Sequence, residues 1–202
     1  MNTEDIRFFD TIAPKWDSME IRSTPSRINH ILDRIPLHAN AKVLDLGTGT
    51  GVLVPYLWER IAPYGTVTAV DLSDGMLKCA KEKYGELPDV DFIKADFEND
   101  PLDGRFDVVM MYCVYPHLSA PFETIQNLID NNLREHGVIV IAFPSDESFI
   151  NHVHGHKKVT SDRLPSALTL AERLRSAGLN ATAIEASSDA YIVTVGRPTR
   201  GN

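Results

Sequence analysis

Three carboxylates stand at or near the ends of three apolar runs, and a glycine-dense turn follows the first. Asp45 lies within Val43-Leu44-Asp45-Leu46, directly before Gly47-Thr48-Gly49-Thr50-Gly51. Asp71 closes Thr66-Val67-Thr68-Ala69-Val70-Asp71, and Asp96 closes Val90-Asp91-Phe92-Ile93-Lys94-Ala95-Asp96. Apolar runs of this kind suit buried parallel strands, and glycines let a backbone approach a ligand with no Cβ in the way. The ligand is nucleotide-like but not held by phosphate. A dinucleotide fingerprint, Gly-x-Gly-x-x-Gly, sets a pyrophosphate over a helix N-terminus. Here the third glycine comes one residue early, and a carboxylate two positions before the first glycine would repel an anion. This spacing argues against a nicotinamide dehydrogenase. Asp45 suits a cationic group such as an ammonium, and Asp71, about twenty residues beyond the turn, suits ribose hydroxyls.

A second group of reactive side chains lies later in the chain. Phe149-Ile150-Asn151-His152-Val153-His154-Gly155-His156 carries three of the seven histidines. Imidazole serves as a base near neutral pH or as a ligand for borderline metals, and on an extended segment alternate residues share a side. His-x-His-x-His is less specific than a paired-cysteine zinc pattern. Three readings stay open: substrate binding or general-base work, a metal held by His152, His154 and His156, or histidines on an exposed loop. Tyr115 and His117 follow the run Phe106-Asp107-Val108-Val109-Met110-Met111-Tyr112 and are candidates to face the same acceptor.

The phrase Asp45-Leu46-Gly47-Thr48-Gly49-Thr50-Gly51 resembles the first motif of the class I S-adenosylmethionine-dependent methyltransferases. Asp71, Asp96-Phe97 and the Phe106 to Tyr112 run fall where that family has its next motifs. The opening Phe9-Asp10-Thr11-Ile12-Ala13-Pro14-Lys15-Trp16-Asp17 is similar to a phrase at the start of many small-molecule members. The resemblance covers nearly the whole chain. It implies S-adenosylmethionine as cofactor, held by Asp45, Gly47, Thr48, Gly49, Gly51, Asp71, Leu72, Met76, Asp96, Phe97 and Tyr112. Asp96 would read the adenine amino group, with Met76 or Phe97 against the ring. The resemblance also implies that the opening folds over the cofactor as a lid and helps form the substrate pocket, with Trp16 at the substrate; from their own chemistry His152 and His156 are candidates to bind the substrate, and His117, His154 or Tyr115 to accept a proton. Plainer readings stand beside these: each acid alone also suits a helix cap, Met76 also suits core, and the opening also suits an amphipathic helix packed on the sheet. No Asn-Pro-Pro or Asp-Pro-Pro-Tyr phrase follows the fourth run, where Tyr112-Cys113-Val114-Tyr115 stands instead, which favours a small-molecule acceptor. An RNA or protein methyltransferase and a non-catalytic S-adenosylmethionine-binding regulator remain as alternatives.

These residues need an α/β framework: a Rossmann-like doubly wound sheet of seven strands, mostly parallel with one antiparallel edge strand, and helices on both faces. Apolar residues at helical spacing predict helices around Ile28, Ile31, Leu32 and Ile35, around Val52, Leu53, Tyr56, Leu57 and Ile61, and around Met76, Leu77, Ala80 and Tyr84. A further helix is predicted over Phe122, Ile125, Ile129 and Leu133 with Gly137 as its cap. Another is predicted over Leu168, Ala171, Leu174 and Ala177, closed by Gly178. Strands follow at 138–143, 180–186 and 190–196, the last two as a hairpin. At 202 residues one domain is expected over 1–202, with 1–36 as lid and covering helix and 144–163 as a substrate-side insertion. With 28 acidic against 20 basic residues the net charge is -8, which opposes a broad phosphate-binding surface, so nucleic acid is a disfavoured partner despite Lys157, Lys158, Arg163, Arg173 and Arg175. Cys79 and Cys113 form no metal or redox spacing. With no long apolar span or secretory pattern, a cytoplasmic protein without membrane contact is expected, as monomer or homodimer.

Overall fold

The structure, a computed structural model, describes residues 3–19, 22–156 and 163–198, with side chains for all of these except 3–5 and 153–156. Seven strands form one sheet: β1 (Lys42–Leu46), β2 (Thr66–Asp71), β3 (Val90–Lys94), β4 (Phe106–Tyr112), β5 (Leu133–Phe143), β6 (Asn180–Ala186) and β7 (Tyr191–Gly196). Their order across the sheet is β3-β2-β1-β4-β5-β7-β6. All pairings from β3 to β5 are parallel, and β7 runs antiparallel to both β5 and β6. The expected doubly wound, mostly parallel sheet is borne out, and its antiparallel side is the β6–β7 hairpin.

The pleat sorts the side chains. Val43, Val108 and Met110 face one side, where they pack with α3 (Pro25–Leu32) and α4 (Val54–Ile61) through Ile28, Ile31, Leu57 and Ile61. Leu44, Leu46, Val109 and Met111 face the other, against α6 (Pro121–Asn131) and α8 (Ala167–Ser176). Both faces of the central strands are covered, so each strand reads as an unbroken apolar run. Caps set the helix starts: Thr24 accepts from Arg27 N–H at 3.4 Å for α3, and Ser73 accepts from Met76 N–H at 3.1 Å for α5 (Asp74–Tyr84). The chain opens with α1 (Thr3–Ile12), a 3-10 turn and the short α2 (Trp16–Met19).

Several boundaries differ from the sequence reading. Leu133 belongs to β5, where it pairs with Phe106, and not to α6. Gly137 lies inside that strand and caps nothing; a Cβ there would stand 2.8 Å from the Phe106 carbonyl oxygen, so the glycine serves the irregular pairing of β4 with β5. Leu168 is 66% exposed, because the buried stripe of α8 runs through Ala167, Leu170, Ala171 and Leu174. The histidine segment is not extended: α7 spans Glu147–His156.

Candidate active site

A cavity of about 280 Å³ opens at the carboxyl ends of β1 to β5. This is where the chain leaves β1 for one side of the sheet and β4 for the other, the position at which open α/β sheets bind ligands. Asp45, buried in β1, accepts a hydrogen bond from Thr48 Oγ1 at 2.6 Å. Burial pushes its carboxyl up to about 7, against the bond from Thr48, and the neighbouring Asp71 adds to the rise. Such a group calls for a cation. Asp71, at the end of β2, accepts from the Gly49 N–H at 2.8 Å and the Ser73 N–H at 2.9 Å. Burial raises its carboxyl too, while those backbone bonds oppose the rise.

The glycine turn holds three left-handed residues, with φ of +66° at Gly47, +57° at Gly49 and +81° at Gly51. Their surroundings differ. A Cβ at Gly47 would lie 2.5 Å from Val114 Cγ2, and one at Gly51 would lie 3.0 Å from the Tyr84 ring, whereas nothing stands within 4 Å of the same point at Gly49. Gly49 leaves room for a ligand, Gly47 admits Val114, and Gly51 admits α5. Gly51 does not line the cavity, which corrects its assignment as a ligand contact.

Thr48, Leu72, Met76, Asp96, Phe97 and Tyr112 line the cavity as expected. Met76 is 2% exposed, so it belongs to the core as well as to the cavity lining. Asp96 follows β3 and accepts from the Glu98 N–H at 3.2 Å and Asn99 Nδ2 at 2.9 Å, so it orders its own loop while facing the cavity. Glu98 lines the same wall and caps the start of α6 through the N–H groups of Ser119 at 2.8 Å and Ala120 at 3.1 Å.

The opening segment supplies part of the lining. Phe9 meets the Trp16 ring at 5.6 Å and the His117 ring at 5.7 Å, both edge-on. All three line the cavity. Two carboxylates tie the segment down. Asp10 accepts from Ser73 Oγ at 2.6 Å and the Gly75 N–H at 2.9 Å, at the N-terminus of α5. Asp17 accepts from Thr50 Oγ1 at 2.5 Å and Lys83 Nζ at 2.8 Å. The rest of the wall is Met19, Arg22, Ser23, Cys113, Phe143 and Phe149 with their neighbours. Ser23 and Tyr112 share a hydrogen bond of 2.9 Å between hydroxyls.

Sequence reasoning singled out neither Arg22 nor Glu98, although Glu98 directly follows Asp96-Phe97. Cys113 adopts φ +59° at the bend after β4, a conformation usually flagged by glycine or asparagine. Other expectations fail on placement. Tyr115 packs in the core below the cavity and does not line it, and His152 on α7 is exposed and outside the lining. The side chains of His154 and His156 lie outside the described residues. The reading of His152, His154 and His156 as metal ligands needs those side chains and so lies outside the described residues as well. Among the described residues no group of three His, Cys, Asp or Glu side chains forms a metal site.

Residues 43–137 match a family described as "Methyltransferase domain". The matched stretch, which runs from β1 into β5, is a methyltransferase domain. The chain is 32% identical over 152 residues to a malonyl-[acyl-carrier protein] O-methyltransferase of Halalkalibacterium halodurans, covering 71% of this chain and 55% of that one. It is 30% identical over 132 residues to a trans-aconitate 2-methyltransferase of Rhizobium rhizogenes, covering 65% and 50%. The methyltransferase domain thus spans about half the length of these curated relatives. Its fold also matches the structure of a complex between the Haloferax volcanii Trm112 methyltransferase activator and a methyltransferase, with a TM-score of 0.77 and 21% identity over 96% of this chain and 97% of that one. The lining thus offers a buried carboxylate that needs a positive partner, an open backbone approach at Gly49 and several aromatic rings.

Proposed function

We propose that the domain transfers the methyl group of S-adenosylmethionine to a small molecule enclosed with it. The observation that carries this is one cavity whose lining holds both an acidic set, Asp45, Asp71 and Asp96, and an aromatic set, Phe9, Trp16, Phe143 and Phe149. When bound, S-adenosylmethionine supplies a methyl group activated by an adjacent positive sulfur. Asp45 balances the cationic amino-acid end, Asp71 receives the ribose hydroxyls on lone pairs that Gly49 and Ser73 leave over, and Asp96 faces the adenine. Direct displacement needs the acceptor atom in line with the methyl group, so the protein's task is alignment and exclusion of water. Phe9, Trp16 and Tyr112 do both by closing the site. His117, on the 3-10 turn after β4, is the group placed to take a proton from an acceptor that carries one. Among the described residues, 3–19 and 22–36 act as lid and covering helix, and 144–156 as the acceptor side.

The small size of the cavity and the net charge of -8 support a metabolite over a macromolecule. The test is transfer of labelled methyl from S-adenosylmethionine into a cell extract separated into small molecules, RNA and protein. Label among small molecules with the wild type, reduced at least tenfold with Asp71→Ala, is the expected result. Label in RNA or protein overturns the small-molecule reading. Tight cofactor binding without any transfer replaces it with a binding-only role.

A further inference from the structure

The charges around the cavity are unequal. Asp45, Asp71, Asp96 and Glu98 line it, and Arg22 is the sole lysine or arginine among its described lining residues. Most guanidinium groups near the sheet are already matched: Arg27 pairs with Asp189, Arg34 with Glu185, Arg60 with Asp33 and Arg134 with Asp107. Arg22 pairs with no carboxylate among the described residues. Its guanidinium carbon instead lies 4.0 Å above the Phe149 ring centroid. The ring face attracts the guanidinium and holds it beside the cavity, and its five N–H donors can serve an oxyanion.

Resting on the methyl-transfer reading, we propose that Arg22 recognises a carboxylate of the methyl acceptor, and that the acceptor is an organic acid. Phe149 belongs to α7, which follows β5, so the stacked pair stands on the side of the cavity assigned to the acceptor. The acids, by contrast, come from β1, β2 and the loop after β3. A carboxylate matches the fork of one guanidinium in charge and in geometry. A phosphate dianion would bring two charges to one cation beside four carboxylates, which disfavours it. Half-burial of Arg22 behind the ring-lined wall limits water competition and strengthens the pair.

The test starts from the small-molecule fraction of the extract, split at pH 7 on an anion exchanger into retained and unretained pools, with part of the retained pool treated with alkaline phosphatase. Wild type, Arg22→Gln and Arg22→Lys are each assayed with labelled S-adenosylmethionine, and cofactor affinity is measured separately. The proposal expects an acceptor in the retained pool, insensitive to phosphatase. It expects KM for that pool to rise at least tenfold in Arg22→Gln and less in Arg22→Lys, with cofactor affinity unchanged. An acceptor in the unretained pool, or one destroyed by phosphatase, overturns the organic-acid assignment while leaving methyl transfer intact. Loss of cofactor affinity in Arg22→Gln moves Arg22 to the cofactor's own carboxylate and also overturns it. No transfer to either pool by the wild type defeats both this inference and the reading beneath it.

Discussion

Asp45 carries a cost that only a ligand can offset. Its carboxyl is raised from 3.8 to about 7, so in the free protein the folded state holds a proton that the unfolded chain releases. The stability contributed by that proton is fully present below about pH 4 and is lost as pH rises through about 7, on the order of 4 kcal/mol in all. Asp45→Asn should therefore raise the melting temperature of the free protein at pH 8 by about 8–16 °C and flatten its pH dependence, as scanning calorimetry will read. The same variant should bind S-adenosylmethionine at least tenfold more weakly. Wild-type affinity should climb about tenfold per pH unit up to about pH 7 and then level off, since the cation requires the ionised form. The glycines separate in a second experiment. Gly47→Ala meets Val114 at 2.5 Å and should lower the melting temperature by several degrees, with part restored by Val114→Ala; Gly49→Ala has open space, should cost about 1–2 kcal/mol for its φ alone, and should weaken cofactor binding more than Gly47→Ala does. The acids were legible because each sits at or beside the end of an apolar strand. Gly51 was misassigned because a sequence does not reveal which neighbour a missing Cβ accommodates. Arg22 was invisible because its meaning comes from Phe149, far along the chain.

The opening helices form the element with the most to gain from a bound ligand. Ser73 Oγ and the Gly75 N–H hold the Asp10 carboxylate below the usual range, so this tie persists through neutral pH, and it sits where the dipole of α5 also favours an anion. Asp10→Ala should release the segment: hydrogen exchange over 3–19 should speed up, and S-adenosylhomocysteine should dissociate about tenfold faster in a stopped-flow displacement. A lid that contributed nothing to retention would leave the dissociation rate unchanged. Strands and helices with clean periodicity were readable, including the hairpin of β6 and β7. Failures came where one pattern serves two structures. Leu133 continues the apolar spacing of α6 from Ile129, yet pairs with Phe106 as the first residue of β5. The alternating histidines looked extended, but backbone bonding along Glu147–His156 makes them helical. Leu168 shows that choosing the wrong member of adjacent apolar positions turns a helical stripe toward solvent.

Across the whole molecule the sheet sets an order of stability. β1, β4 and β5 have neighbours on both sides and helices over both faces, while β3 and β6 have one strand neighbour each. Amides of β1 and β4 should exchange last and those of β3 and β6 first, read residue by residue by NMR in deuterated buffer. No described helix is long and apolar enough to cross a membrane. The position of β7 has a further consequence. It comes after β6 in the chain yet lies between β5 and β6, bonded to both. During synthesis on the ribosome, β5 therefore emerges with one long apolar edge unpaired, and β6 emerges with no place in the sheet. Only when Tyr191–Gly196 clears the exit tunnel can both be stitched in at once. Until that moment the nascent chain presents an open edge to other chains, and the window closes with the arrival of six residues.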